Sequence, residues 1–394
     1  MRYKVEKVPL AGICTGILAF GMKYILYRPN RIASGAGLSP WNALSITELC
    51  ILASPWIICI ILSVLIVKSP ALPLLYGLLG NLIIIFVFFF AGISTQRLLT
   101  PEYPFARVSF GIGFWIMVLS GYILIISFLQ RESSSKTGRL IVSLSGLAVI
   151  TLIVLSGFLD EISIIKEYSI RKDRFLGEFI QHIVLSGSSV LLAVIIGTPL
   201  GVFAFRRKIF EKPVFFIVNS IQTIPSLALF GLMIAPLALL SQKYPFLRAL
   251  GIKGVGTTPA LIALTLYALL PITRNTYTSL KVLDPSVIES ARGMGMSRIQ
   301  LLFEIEIPLS LPIILSGIRI STVQAVGNTT VAALIGAGGF GVFIFQGLGQ
   351  AVPDLILLGA LPVILLAIFI DKILQIIIRF ITPKGIFYGV EAAR

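Results

Sequence analysis

Apolar runs long enough to cross a lipid bilayer recur along the whole chain, and nothing else in the sequence narrows its fold as sharply. A hydrocarbon core about 30 Å thick takes about 20 residues of helix. Runs at 10–27, 47–67, 71–93, 108–129, 140–159, 179–205, 213–240, 258–273, 311–336 and 354–370 meet or approach that length. The expectation is an all-α polytopic membrane protein of about ten transmembrane helices. Of 394 residues, 57% are hydrophobic and only 12% charged, which leaves too little polar surface for a soluble domain. The net charge of +15 does not point to nucleic acid, because the basic residues lie in short loops without interleaved aromatics.

The basic N-terminus ahead of the run at 10–27 is read as part of a retained span, since no small-residue cleavage site follows it. With a cytoplasmic N-terminus, ten spans leave 19 lysines and arginines in inside segments and 11 in outside segments. That bias favours both termini inside, although the loop at 241–257 carries three cations on the wrong side. Lys23 and Arg319 fall within spans, Lys23 placed to snorkel and Arg319 to pair internally or snorkel.

The first five runs are mostly Ile, Leu, Val and Phe. A polar stretch at 160–178, with five acids and four bases, reads as a boundary between a five-span extension, 1–170, and a second domain, 171–394. Beyond it the spans change character. Asn219, Gln222 and Thr223 lie in one run and Asn328 and Thr329 in another, beside helix breakers such as Pro199 and Pro225. Polar side chains at membrane depth are tolerated where they face protein or a water-filled path. These five are candidates for a translocation path, and hydrogen bonding between helices is the alternative.

Site chemistry is otherwise sparse. Cys14, Cys50 and Cys59 sit in apolar runs without metal spacing and read as packing residues. The one histidine, His182, reads as a residue near a helix end, with no nucleophile signature beside it. No GxxxxGK[ST] motif is present, so if ATP drives this protein another chain must hydrolyse it. No enzyme activity and no bound cofactor or metal are expected.

The polar stretch 284–312 breaks the apolar pattern. Asp284 can accept from the amides of a first helical turn, Pro285 suits the position where an N–H is least needed, and Ser286 with Glu289 has capping-box spacing. Gly293 and Gly295 stop that helix, and Ser297 with Gln300 repeats the spacing ahead of a second helix at 298–307. Pro308 and Pro312 mark entry to the next apolar run.

Glu289, Ala291, Gly295, Ile305 and Pro308 resemble, in spacing, the cytoplasmic EAA loop of ATP-binding-cassette (ABC) importer permeases: Glu-Ala-Ala, Gly four on, then Ile-x-Leu-Pro. Ser290 and Ile307 depart from that pattern, keeping small and apolar character. Further stretches, IQTIPSL at 221–227, LYALLPITRNTYTSL at 266–280, ESARGMGM at 289–296 and AALIGAGGFG at 332–341, are similar to the branch for glycine betaine, choline, carnitine and related osmoprotectants. YRPNRIASG at 27–35 and ARVSFGIGFW at 106–115 resemble a long-form subgroup with extra N-terminal helices.

The resemblance implies a C-terminal five-helix type I ABC importer permease core and a cytoplasmic coupling loop at 279–310, with Asp284, Glu289, Ala291, Gly295, Ile305 and Pro308 as ATPase-coupling residues. It implies partners as well: two cytoplasmic ABC ATPase subunits that carry ATP and Mg, a second permease that is the same chain or a paralogue, and an extracytoplasmic solute-binding protein. The implied place is the cytoplasmic (inner) membrane, and the implied cargo is glycine betaine or a related quaternary-ammonium osmoprotectant. Amino-acid permeases, such as those for methionine, share the loop pattern and are the alternative. An ion-coupled transporter would carry acids or histidines within its spans, whereas here the acids fall in loops or at span ends such as Glu48, Asp354 and Asp371. A membrane enzyme would need clustered ionisable residues that the sequence lacks. The glycine cluster at 336–341 lacks a following lysine and reads as a turn or gate.

Overall fold

The computed structural model describes residues 7–65, 71–100, 102–131 and 135–382. The cations at positions 2, 4, 68, 384 and 394, and with them both termini, lie outside the described residues. Two compact units emerge, one of Met1–Ile170 with Gln350–Asp354, the other of Arg171–Gly349 with Leu355–Arg394. Among the described residues, nine helices are long and apolar enough to cross a membrane.

In the first unit, α1 (Lys7–Ala19) is followed by β1 (Ile25–Arg28), β2 (Ala36–Leu38) and α2 (Pro40–Ala43). Next come α3 (Ile46–Leu65), α4 (Leu72–Leu98), β3 (Arg107–Phe110), α5 (Ile112–Leu129), α6 (Lys136–Leu155) and α7 (Ser163–Ile170). The expected first span, 10–27, is therefore wrong. Its 13 helical residues reach about 20 Å, short of the hydrocarbon core. Apolarity alone did not show that Ile25, Leu26 and Tyr27 pair as a strand, with β2 on one side and β3 on the other, both antiparallel. β3 likewise takes Val108 out of the expected span at 108–129, so α5 starts at Ile112.

Small residues set the helix spacing of this unit. Gly16 leaves room for the Trp56 indole, which donates to Ser120 Oγ at 2.8 Å, and Ser120 donates to the Gly12 carbonyl at 2.7 Å. One chain of bonds thus ties α3 and α5 to α1. Gly80 and Gly121 face each other between α4 and α5, each so close to the other's carbonyl that a Cβ would stand 2.5–2.7 Å from it. Backbones approach this closely only through small residues. The polar stretch 160–178 is not an open linker. Within it Glu167 is buried and takes a two-pronged bond from Arg31 at 2.6 and 3.0 Å.

The second unit opens with α8 (Lys172–Arg206), followed by α9 (Lys208–Thr223), α10 (Ser226–Lys243), α11 (Pro245–Ala249) and α12 (Thr257–Lys281). Then come α13 (Pro285–Gly293), α14 (Arg298–Gln300), α15 (Ile307–Ala332), α16 (Gly341–Gly349) and α17 (Pro353–Ile381). The run at 213–240 is two helices, because Ile224 is extended and Pro225 is the N-cap of α10. The stretch expected to be a short span, 258–273, is a 25-residue helix and the most buried of the nine. α8 and α15 pack against it. Gly197 and Gly201, one helical turn apart on α8, meet Thr273 and Thr276, while Gly317 of α15 meets Pro271 and Asn275.

Candidate coupling loop and translocation path

The loop after α12 is built by its caps. Asp284 is the N-cap of α13 and its carboxylate accepts from the Ser286 N–H at 2.9 Å, a bond that holds its pKa below the usual value. Ser286 consequently sits inside the first turn, and the expected Ser286–Glu289 capping box does not form. At the other end Gly295 takes φ +82°, its N–H bonding Arg292 O at 2.9 Å while Met296 N–H bonds Ala291 O at 3.3 Å. That pair of bonds is a Schellman stop. Ser297 and Gln300 form the expected reciprocal box, at 2.9 and 3.3 Å.

The second helix does not end at residue 307. Arg298–Ile335 is continuous, passing through a π-helical turn at Leu301–Glu306. Pro308 lacks an N–H and its ring crowds the carbonyl of residue 304, so a wider turn there relieves the clash. Among the six candidate coupling residues, Asp284, Glu289, Gly295 and Pro308 are exposed, Ile305 is half-buried and Ala291 is buried. Met294, Ile299 and Phe303 are also exposed, at 71%, 72% and 63%, which leaves an apolar face on a polar loop. Glu306 is buried within the π turn and pairs with Arg206, the last residue of α8.

The candidate path residues are less uniform. Gln222 donates to Tyr267 O at 2.9 Å, and the Tyr267 hydroxyl returns a bond to Ile224 O, so both close the α9–α10 break onto α12. Thr223 and buried Thr329 bond back to their own helices, to Ser220 O and Ala325 O at 2.7 Å. Asn219 and Asn328 are half-buried, and among the described residues their side chains make no hydrogen bond. Arg319 pairs internally: its guanidinium holds Asp371 of α17 through two bonds of 2.6 and 2.8 Å.

His182 stands on the inner face of α8, fully buried, not near a helix end. Together with Glu178 and Gln181 it reaches the glycine loop between α15 and α16. Sequence reasoning missed this group, although the spacing of positions 178, 181 and 182 along one helix face was a usable signal. It also missed Glu306, whose partner Arg206 lies a hundred residues away.

A family model described as binding-protein-dependent transport system inner membrane component matches residues 190–384. Another, described as ABC transporter permease YehY, N-terminal domain, matches residues 5–165. The chain is 43% identical over 206 residues to the carnitine transport permease protein OpuCB of Listeria monocytogenes, which covers 52% of this chain and 87% of that protein. It belongs to the ABC importer permeases. This permease is also 42% identical to the glycine betaine/carnitine/choline transport system permease protein OpuCB of Bacillus subtilis, over 52% of this chain and 88% of that protein. Among solved structures it is similar to the inward-facing MetNI methionine ABC transporter, with 23% identity and a TM-score of 0.47 over 53% of this chain and 96% of that one. The relatives match one half of the permease, and its N-terminal half is the extension of a long form.

Proposed function

We propose that this permease carries glycine betaine, carnitine, choline or a related quaternary-ammonium solute into the cell. The observation that carries the reading is the identity of 43% to a carnitine permease over most of that protein's length. The chain itself is a passive conduit and not an enzyme. ATP and Mg bind two partner ATPase subunits, an external binding protein delivers solute, and a second permease, identical or paralogous, completes the path. Residues 171–394 form the transport domain and residues 1–170 an accessory domain, in the inner membrane, with the C-terminus on the same cytoplasmic side as the loop after α12.

The loop around Asp284, Glu289, Ala291, Gly295, Ile305 and Pro308 is the ATPase dock. Its exposed Met294, Ile299 and Phe303 supply apolar contact that a free loop would not keep in water. The Arg206–Glu306 pair then ties that dock to α8, so a push on the loop reaches a membrane helix as a body movement. Asn219 and Asn328, with side-chain hydrogen-bonding capacity to spare, line the path along with Gln222, Thr223 and Thr329. Weak polar contacts of this kind let solute leave, whereas a tight cation–π cage would hold it. The test is uptake of labelled glycine betaine, carnitine, choline and methionine by cells with and without this gene. Loss of methionine uptake alone on deletion would reject the osmoprotectant reading.

A further inference from the structure

The glycine loop that joins α15 to α16 begins with a helix stop, in which Gly336 N–H bonds Ala333 O at 3.1 Å and Ala337 N–H bonds Ala332 O at 3.2 Å. Gly336, Gly338 and Gly339 take φ of +77°, +82° and +84°, angles that L side chains rarely adopt. Its second half is held by α8. Glu178 Oε2 accepts from Gly339 N–H at 2.7 Å, and Gln181 Nε2 donates to Ala337 O at 3.0 Å. His182 Nδ1 accepts from Phe340 N–H at 3.3 Å, while its Nε2 lies 3.0 Å from Val326 O of α15. An amide N–H can only donate and a carbonyl only accept, so the imidazole is neutral, with its proton on Nε2. Phe340 is buried among rings, with centroids 5.1 Å from Phe175, 5.8 Å from Phe179 and 5.5 Å from His182. A Cβ on Gly338 would stand 3.0 Å from Gln181, and one on Gly339 3.0 Å from His182 Nδ1.

We propose that the 336–341 loop is a latch closed onto α8, and that His182 is the positioning residue that holds it together with the α15 turn bearing Asn328 and Thr329. The inference rests on the transport reading only in giving those two residues a place on the path. A neutral imidazole is required, since an imidazolium has no acceptor for Phe340 N–H. The charged groups near it are Glu178 and Arg174, one and two turns earlier on α8, which pair with each other. The loop and α16 carry no charged residue, the sole charged residue of α15 is Arg319, paired with Asp371, and the cations of α12, Arg274 and Lys281, lie in its last two turns. Acid therefore opens the latch through His182.

Amide exchange on the full-length permease in lipid nanodiscs tests the latch without reference to any cargo. His182→Leu should speed exchange across 336–341 about tenfold, the effect of deleting one buried acceptor. His182→Asn should stay near wild type, because its Oδ1 can stand where Nδ1 does, whereas His182→Gln should not. Acidification, after correction for intrinsic rates, should speed wild-type exchange in this segment and leave the His182→Asn protein unchanged. In cells, glycine betaine uptake should fall in His182→Leu and be rescued in His182→Asn, with the acid-sensitive part of its pH profile gone. Equal exchange in wild type, Leu and Asn variants, or a wild-type segment indifferent to acid, overturns the latch. Should His182→Leu fail to fold, the wild-type pH series and the Asn and Gln pair still decide it. Absence of uptake by wild type with a latch that behaves as described would reject the cargo and keep the latch.

Discussion

Alanine at two glycines of the same helix should have opposite effects on the permease. Gly201 of α8 packs so closely on α12 that a Cβ there would lie 2.7 Å from the Thr273 carbonyl oxygen and from Thr276 Cβ. The first of these contacts is backbone, which cannot rotate away, so the two helices must part by about 0.7 Å or more to reach ordinary van der Waals distance. Overpacking of this kind costs about 1–3 kcal/mol. Gly187, on the same helix, has no atom within 4 Å of a Cβ. Alanine there should stabilise by up to about 1 kcal/mol, because glycine loses more conformational freedom in a helix. For a transport unit of this size, 2 kcal/mol corresponds to about 4–8 °C in the unfolding midpoint. Thermal unfolding of the purified protein in one detergent, followed by intrinsic fluorescence, reads the difference directly. If Gly201→Ala melted at or above Gly187→Ala, the close crossing of α8 on α12 would be wrong.

Other changes probe the loop and the ion pairs. Gly295→Asp should abolish uptake and ATPase pull-down while leaving the membrane spans folded, since a left-handed residue other than glycine costs about 1–2 kcal/mol and the φ of +82° is what turns the chain toward Ser297. Wild-type capture of the ATPase by that variant would remove the loop's proposed role. Asp284 has a carboxyl pKa below the usual value, so its cap is fully present above the ordinary aspartate range and fades only as pH falls through the lowered value; Asp284→Asn, which keeps an acceptor, should make cap-dependent exchange of the Ser286 amide insensitive to that titration. A double-mutant cycle on Arg319→Gln and Asp371→Asn should return a coupling of about 1–3 kcal/mol in thermal unfolding, with the double variant more stable than Arg319→Gln alone. Additive effects would mean the two groups do not interact.

The sequence was most informative where local chemistry alone decides the backbone. The Asp284 cap, the Ser297–Gln300 box and the glycine stop at Gly295 were all readable, because each needs only residues within one turn. The competing Ser286–Glu289 box failed because Asp284 had already taken the cap position. Long-range pairing was not readable. Ile25–Arg28 carries no sign of strand strong enough to outweigh the apolar run around it, and β3 is some eighty residues away. Nor does a lone Gln222 disclose that its amide will find the Tyr267 carbonyl on another helix. The ends of the spans were misjudged for a related reason. Polar residues at positions 172–178 and 371–381 belong to helices that run past the apolar stretch, as the 35 residues of α8 and 29 of α17 require.

α8 measures about 52 Å from end to end, farther than the hydrocarbon thickness. Within its first three turns or so it grips the 336–341 segment, and its final residue, Arg206, grips Glu306. One stiff rod therefore touches both ends of the machine, softened only where Pro199 removes a backbone donor close to the far tip. Tilting such a rod at its base swings its head by an amount fixed by leverage, and shortening it by a turn would leave one grasp or the other empty.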